Sequence, residues 1–242
     1  MPAVFVHGVP DTHHVWDDVI AHLTRTDVIV LSLPGFGSPV PDGFTSTKEE
    51  YADWIIARLA EIGSPVDLVG HDWGCILTSR VASVRPDLVR TWAAGGAQIA
   101  GADEWHDLAK VWQTPEAGEQ WMAALDPSEL SKLLQANGVP AQHAEENASR
   151  MDATMKDSIL RLYRSAVLLW EDWRPGLADI TSPSLVFWGN DDQFAPVQYA
   201  EPVAKAVRAT GVIRLESGHW TPLQRPRELA AALTQHWESV PA

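Results

Sequence analysis

Asp72 lies at the centre of a short segment with glycine at both ends, Gly70-His71-Asp72-Trp73-Gly74. A β-branched run precedes the segment and a helical pattern follows it, which predicts a strand, a tight turn and a helix. Small residues beside such a turn permit a strained backbone, and the central side chain is then pushed out above the sheet. A carboxylate presented in this way can act as a nucleophile.

Two later segments carry groups that could activate water. Asp191 and Asp192 follow a late predicted strand, and His219 follows the next one. A histidine held by a carboxylate can take a proton from water. One of the two aspartates and His219 can therefore complete a triad with Asp72.

An aspartate nucleophile predicts attack on a saturated carbon. Serine attacking such a carbon would form an ether, which a histidine and water could not cleave. A carboxylate forms an alkyl ester instead, and the ester has a carbonyl that water can attack in a second step. The residue at position 72 therefore favours alkyl transfer over ordinary esterase chemistry.

Four segments together resemble the aspartate-nucleophile branch of the α/β-hydrolase superfamily, which contains epoxide hydrolases and haloalkane dehalogenases. Besides the segment around Asp72, they are Phe5-Val6-His7-Gly8-Val9-Pro10, residues 187–196 and residues 217–226. The resemblance implies an α/β-hydrolase fold, with a mainly parallel twisted sheet flanked by helices and an inserted helical cap.

The resemblance also implies roles for single residues. It makes Asp72 the nucleophile and His219 the base, and the spacing of the surrounding motif favours Asp192 over Asp191 as the acid. The backbone amides of Val9 and Trp73 would form the oxyanion hole.

The leaving group distinguishes the two activities within this branch. The segment Arg161-Leu162-Tyr163-Arg164-Ser165 resembles the part of the cap in which epoxide hydrolases carry a ring-opening tyrosine, so Tyr163 is the candidate proton donor. Epoxide hydrolases usually have two such tyrosines, and no second one lies in this cap; His106 is a conceivable substitute. We therefore predict a cofactor-independent epoxide hydrolase that forms a vicinal diol.

Two alternatives stay open. In a haloalkane dehalogenase, the indole N–H groups of Trp73 and of Trp112 or Trp121 would hold the halide. The third hypothesis is a ligand-binding protein without catalysis, which gives no reason to combine a nucleophile, an acid and a base.

The cap is expected to supply the substrate pocket. Five tryptophans lie in it, and we expect Trp112, Trp121 and Trp170 to line a pocket for a small apolar substrate. Tyr163, Val167 and Trp170 share a helical spacing that would direct one face towards the site.

The elements that must position these groups alternate between short strands and helices. β-branched runs predict six strands, at Ala3 to Val6, Val28 to Leu31, Val66 to Val69, Val89 to Ala93, Leu185 to Trp188 and Val212 to Leu215. This alternation predicts a mainly parallel sheet. Ser46-Thr47-Lys48-Glu49 predicts a capping box, and Gly63 the end of the same helix. The strand pattern is absent from about residue 99 to 181, where prolines interrupt helical segments. We therefore predict a core of residues 1–98 and 182–242 and a cap of residues 99–181.

Composition limits the function. The 242 residues carry a net charge of −14, which gives no basic surface for nucleic acid or anionic lipid. No apolar run is long enough to span a membrane. The single cysteine, Cys75, and the absence of a signal peptide favour the cytoplasm. We expect neither metal nor cofactor, and partners limited to substrate and water. The oligomeric state stays open, a homodimer included.

Overall fold

The computed structural model describes residues 1–241. Within this range, six parallel strands form one sheet in the order β2-β1-β3-β4-β5-β6. The strands are β1 (Ala3–Val6), β2 (Val28–Leu31), β3 (Val66–His71), β4 (Val89–Gly95), β5 (Ser184–Gly189) and β6 (Gly211–Leu215). Each predicted strand is present, and the predicted fold class, with a mainly parallel sheet between helices, is confirmed.

Helices cover both faces of the sheet and fill the segment between β4 and β5. Among the described residues they are α1 (Asp17–Ala21), α2 (Lys48–Ile62), α3 (Trp73–Val84), α4 (Asp107–Gln113), α5 (Ala117–Ala124), α6 (Pro127–Ala136), α7 (Ala141–Arg150), α8 (Ala153–Ser165), α9 (Leu169–Trp173), α10 (Ala200–Ala206), α11 (Thr221–Gln224) and α12 (Pro226–Glu238). No helix among residues 1–241 has the length and apolar character needed to cross a bilayer.

Helix α2 shows how local sequence determines an element's ends. The capping box forms one residue later than predicted: Thr47 accepts the amide of Glu50, whose side chain returns to the amide of Thr47. Ser46 cannot be the cap because its φ of 59° lies in the left-handed region, outside the extended conformation that a cap residue adopts. Gly63, with φ of 73°, ends the helix as predicted.

The segment between β4 and β5 is helical, and two of its prolines lie at helix starts. Pro127 is the first residue of α6 and Pro140 directly precedes α7, positions where a missing backbone N–H costs nothing. The predicted stripe through Tyr163, Val167 and Trp170 is wrong, because α8 ends at Ser165 and Val167 is exposed. The division into a core and a cap at residues 99–181 stays a prediction.

The strand order brings separate loops to one edge of the sheet. The chain reverses direction across the sheet between β1 and β3, and ligands of open α/β sheets bind at such switch points, beyond the carboxyl ends of the strands. The segments that begin at His7 and Asp72 follow β1 and β3, so they start next to each other at this edge of the sheet. The loops after β5 and β6 carry Asp192 and His219 to the same edge.

Candidate active site

Asp72 occupies a strained turn between β3 and α3. Its φ of 55° and ψ of −122° lie outside the regions that ordinary residues favour. Glycine is required where other chain segments approach this turn. A Cβ added at Gly8 would lie 2.2 Å from Asp72 Oδ1, and one at Gly74 would lie 2.1 Å from the carbonyl oxygen of Val6. The turn is therefore packed directly against the loop that follows β1.

The two oxygens of the Asp72 carboxylate have different partners. Oδ1 accepts the backbone N–H of Val9 at 2.7 Å, whereas Oδ2 lies 3.5 Å from Nε2 of His219. The amide of Trp73, the other predicted oxyanion donor, makes no hydrogen bond to this carboxylate within residues 1–241. In this structure one oxygen is held by the loop after β1, and the other is directed at the imidazole.

His219 is held from its other side by Asp192. Nδ1 of His219 donates to Asp192 Oδ2 at 2.9 Å. Asp192 Oδ1 accepts the backbone N–H groups of Phe194 and Ala195 at 2.9 and 2.8 Å, which fixes the orientation of the carboxylate. Asp191, the alternative acid, is exposed, and its backbone N–H bonds to Ser217. The structure thus brings Asp192, and not Asp191, to the imidazole.

Burial and neighbouring charges shift the pKa values of His219 and Asp72 in opposite directions. Burial lowers the pKa of His219, but the charge of Asp192, the hydrogen bond that His219 donates to it and the charge of Asp72 hold this pKa well above its ordinary value. Burial raises the pKa of Asp72, but the nearby charge of His219 and the hydrogen bond from the Val9 amide hold it below its ordinary value. Both shifts favour an ionised Asp72 that faces a protonated His219 in the resting site.

A narrow, mostly apolar cavity opens over Asp72 and His219. Its volume is about 50 Å³, whereas a single water needs roughly 10–15 Å³. The remaining lining residues come from the loop after β1, from helices α4 to α8 and their connections, and from the loops after β5 and β6: Val9, Pro10, His106, Leu108, Trp112, Trp121, Leu130, Leu133, Leu134, Asn137, Met151, Tyr163, Phe194 and Trp220. The cavity has room for a small apolar molecule next to the carboxylate.

The sequence pattern of the alpha/beta hydrolase family matches residues 3–232, nearly the full chain. The chain belongs to the alpha/beta hydrolase family. The protein is therefore a hydrolase, and its sheet and flanking helices are those of the α/β-hydrolase fold.

Known relatives of this hydrolase differ in their reactions. It is 25% identical to (E)-2-((N-methylformamido)methylene)succinate hydrolase of Acinetobacter baylyi, over 99% of this chain and 91% of that one. It is 30% identical to a haloalkane dehalogenase of Psychrobacter cryohalolentis, over 46% of this chain and 39% of the relative. A loop variant of a haloalkane dehalogenase from Bradyrhizobium elkanii superposes with a TM-score of 0.75 at 21% identity, over 98% of this chain and 90% of that chain. This superposition shows a shared fold.

Tyr163 of the hydrolase lies in α8 and lines the cavity that contains Asp72. Its ring is buried edge-on against Trp73 and Trp112, with ring centroids 5.1 and 4.8 Å away. Its hydroxyl forms no hydrogen bond within residues 1–241, while its carbonyl accepts from the side chain of Gln113. Burial and the charge of Asp72 raise the pKa of Tyr163 well above its ordinary value, so the hydroxyl keeps its proton near neutral pH.

His106 also faces the cavity, from the start of α4. Its Nδ1 accepts the backbone N–H of Ala109 at 3.2 Å, so the neutral ring carries its proton on Nε2. Burial lowers the pKa of His106, which keeps the ring neutral. His106 can therefore donate a hydrogen bond without carrying a charge.

The three tryptophans predicted to line the substrate pocket border two different cavities. Trp112 and Trp121 line the cavity, whereas Trp170 lies at a second chamber of about 20 Å³ that also borders Asp72. The Trp170 indole N–H donates to the carbonyl of Gln98 at 2.7 Å. The Nε1 atoms of Trp73 and Trp112 are buried and lack hydrogen-bond partners in the described part of the chain.

Sequence reasoning missed part of the cavity wall and one buried acid. Leu130, Leu133 and Leu134 of α6 line the cavity, and their spacing of three and four residues is a signal that could have found this face. Asp11, two residues beyond Val9, is fully buried beside the site. Its position in the loop that follows β1 was the available signal.

Proposed function

We propose that this hydrolase is a cofactor-independent epoxide hydrolase that converts a small apolar epoxide into a vicinal diol through an ester on Asp72. The observation that carries the proposal is that the two carboxylate oxygens of Asp72 have different surroundings. Oδ1 accepts the Val9 amide, whereas Oδ2 is free to react and lies beside His219. The reaction needs no metal or redox group. The single cysteine, Cys75, is unpaired and buried, which supports a reducing compartment such as the cytoplasm.

In the first step, Oδ2 of Asp72 attacks a ring carbon of the epoxide and the bond from that carbon to the ring oxygen breaks. The ring oxygen takes the hydroxyl proton of Tyr163, so that the enzyme holds a hydroxyalkyl ester and a phenolate. His106 is placed in the same cavity to supply a second hydrogen bond to the ring oxygen.

In the second step, water attacks the carbonyl carbon of the ester. Alkylation has removed the negative charge of Asp72, one of the influences that keep His219 protonated. The pKa of His219 therefore falls, and the imidazolium releases its proton to solvent. The neutral imidazole can then take a proton from water while Asp192 stabilises the imidazolium that forms again. The tetrahedral oxyanion develops on Oδ1, where the Val9 amide already donates. Collapse breaks the bond to the diol oxygen, which takes the proton of the added hydroxyl group, so the diol leaves and Asp72 is again ionised. His219 stays protonated, as in the resting site, and the Tyr163 phenolate regains its proton from solvent.

Haloalkane dehalogenation is the second candidate. The buried indole N–H groups of Trp73 and Trp112, which lack partners among residues 1–241, are donors that could hold a halide. The local similarity to a haloalkane dehalogenase supports the same interpretation. However, Trp73 is wholly buried, stacked on Trp105, and is not among the residues lining the cavity. The cavity itself presents Tyr163, which can protonate an epoxide oxygen.

A substrate panel separates the two activities. Purified protein is incubated with styrene oxide, cyclohexene oxide and butyl bromide, and diol and bromide are quantified. We expect diol from at least one epoxide and no bromide above that of an Asp72→Ala control. Bromide release without diol would replace the proposal with dehalogenation. If neither product forms, both activities are rejected, and the hypothesis of a ligand-binding protein is left.

A further inference from the structure

Asp11 is a fully buried carboxylate that the chemistry above does not use. It has two side-chain partners, both neutral. Asn147 Nδ2 donates to Oδ1 at 2.7 Å, and Trp220 Nε1 donates to Oδ2 at 3.0 Å and to Oδ1 at 3.3 Å. The acid therefore connects two residues that are distant from it in sequence.

These bonds join the three segments on which the site depends. Asp11 belongs to the loop whose Val9 amide holds Asp72. Trp220 directly follows His219. Asn147 lies in α7, which packs with α6, the helix that provides leucines to the cavity wall. One carboxylate thus links the loop after β1, to which it belongs, with the loop that carries His219 and with the helix that packs against the cavity wall.

A buried carboxylate is energetically unfavourable in a contact that serves structure alone. Burying an acid without a cation is unfavourable, and burial together with the charge of Asp72 raises the pKa of Asp11 to about 7. The carboxyl has acceptor sites on two oxygens, which lets it accept from Asn147 and Trp220 together. An asparagine would present only one acceptor oxygen to the same two donors.

We propose that Asp11 is a positioning residue that holds the His219 loop through Trp220 and the cavity wall through Asn147. The Trp220 contact governs the placement of the base and hence ester hydrolysis. The Asn147 contact governs the wall and hence substrate binding. The kinetic half of this proposal rests on the proposed function, whereas the placement of His219 can be measured without any substrate.

The first measurement follows the imidazole of His219 by NMR titration in the free protein. The titratable groups facing it are Asp192, Asp72, Asp11, His71 and His106. We expect Asp11→Ala to lower the midpoint by about half a pH unit or more, because an acceptor and a nearby acid are lost. Asp11→Asn, which keeps one acceptor oxygen, should give a smaller change.

Two variants of α7 serve as matched controls. Asn147→Ala removes the hydrogen bond between α7 and Asp11. His143→Ala removes a separate contact of the same helix, between His143 Nε2 and Asp18 at 3.1 Å. We expect both to leave the His219 midpoint unchanged. An unchanged midpoint in Asp11→Ala, or equal changes in all three alanine variants, would overturn the proposal.

The second measurement uses the best epoxide from the panel. We expect Asp11→Ala to slow ester hydrolysis about 10-fold or more, since a small displacement of a catalytic group is costly. Asn147→Ala should raise KM several-fold and leave kcat near that of the parent, whereas His143→Ala should change neither. Lower thermal stability with unchanged kinetics per folded molecule in both Asp11 variants would show a structural role only and overturn the proposal. If the parent turns over no epoxide, the proposed function fails, and the His219 titration still decides the role of Asp11.

Discussion

Nε2 of His219 lies 3.5 Å from Oδ2 of Asp72, the carboxylate oxygen that the Val9 amide leaves free. In the proposed mechanism, the same imidazole therefore faces both the attacking oxygen of the first step and the ester that the second step must cleave. This arrangement explains how His219 can act as the base after alkylation without preventing the attack of Oδ2 in the first step. Because the proposed mechanism assigns different residues to the two steps, single substitutions should affect one step and spare the other.

Tyr163→Phe should slow epoxide opening about 100-fold, because a positioned general acid contributes roughly 10²–10⁴ in rate. Ester hydrolysis, once an ester forms, should be nearly unchanged. The rates are measured by rapid quench in a single turnover. Tyr51→Phe is the matched control: Tyr51 is equally buried, but its hydroxyl donates to the Pro34 carbonyl and lies outside the cavity. Equal diol rates in the two variants would remove Tyr163 from the mechanism.

Asp192→Asn should slow ester hydrolysis about 10³-fold or more, because the amide cannot stabilise the imidazolium and can favour the wrong ring tautomer. Alkylation of Asp72 should continue, so the ester should accumulate and be visible by mass spectrometry of the intact protein. Asp191→Asn is the control, since the Asp191 side chain is exposed. Loss of activity in Asp191→Asn, with an active Asp192→Asn, would contradict the assignment of the acid.

Gly8→Ala should abolish turnover. The added methyl would lie 2.2 Å from Oδ1 of Asp72 and must displace the carboxylate from the Val9 amide. Gly43→Ala is the comparison, because its Cβ would meet no atom within 4 Å although its φ of 79° is strained for alanine. Circular dichroism checks the fold, and diol formation the activity. Normal turnover in Gly8→Ala would show that the close approach of the two loops is not required.

The two steps should respond differently to pH. Hydrolysis requires neutral His219, whose pKa in the free enzyme is held well above 6.5 by Asp192 and Asp72, so its rate should fall as pH decreases. Its midpoint should lie below the NMR midpoint of the free enzyme, because the ester lacks the charge of Asp72. Alkylation requires ionised Asp72, whose pKa lies below the ordinary 3.8, so it should stay constant down to that range. Single-turnover rates from pH 4 to 9 test both; an alkylation midpoint near neutrality would conflict with an ionised Asp72.

Local signals predicted much of the fold. The β-branched runs located all six strands found among residues 1–241, and Gly63 ended α2 where expected, because these features depend on neighbouring residues. The capping box was one residue out, since the left-handed backbone of Ser46 is not encoded by the pattern of serine, threonine and glutamate. The false stripe through Val167 has a similar origin: periodicity continued past the end of α8.

Contacts between distant segments could not be read from spacing. Asp11 meets Asn147 and Trp220 across 136 and 209 residues, and these contacts depend on how α7 lies against the core. The contact of Asp192, and not Asp191, with His219 depends on how the loop after β5 lies beside His219. Motifs indicated which residues could react, whereas packing determined which oxygen of Asp72 is free.

The most direct test of the covalent mechanism is one turnover in ¹⁸O-labelled water, with enzyme in excess over epoxide, followed by mass analysis of the peptide containing Asp72. Water that attacks the ester carbonyl leaves its oxygen on the carboxylate, so the mechanism predicts label in Asp72 and unlabelled oxygen in the first diol formed. Label in the diol with none in Asp72 would mean that water attacks the substrate directly, and would contradict an ester intermediate.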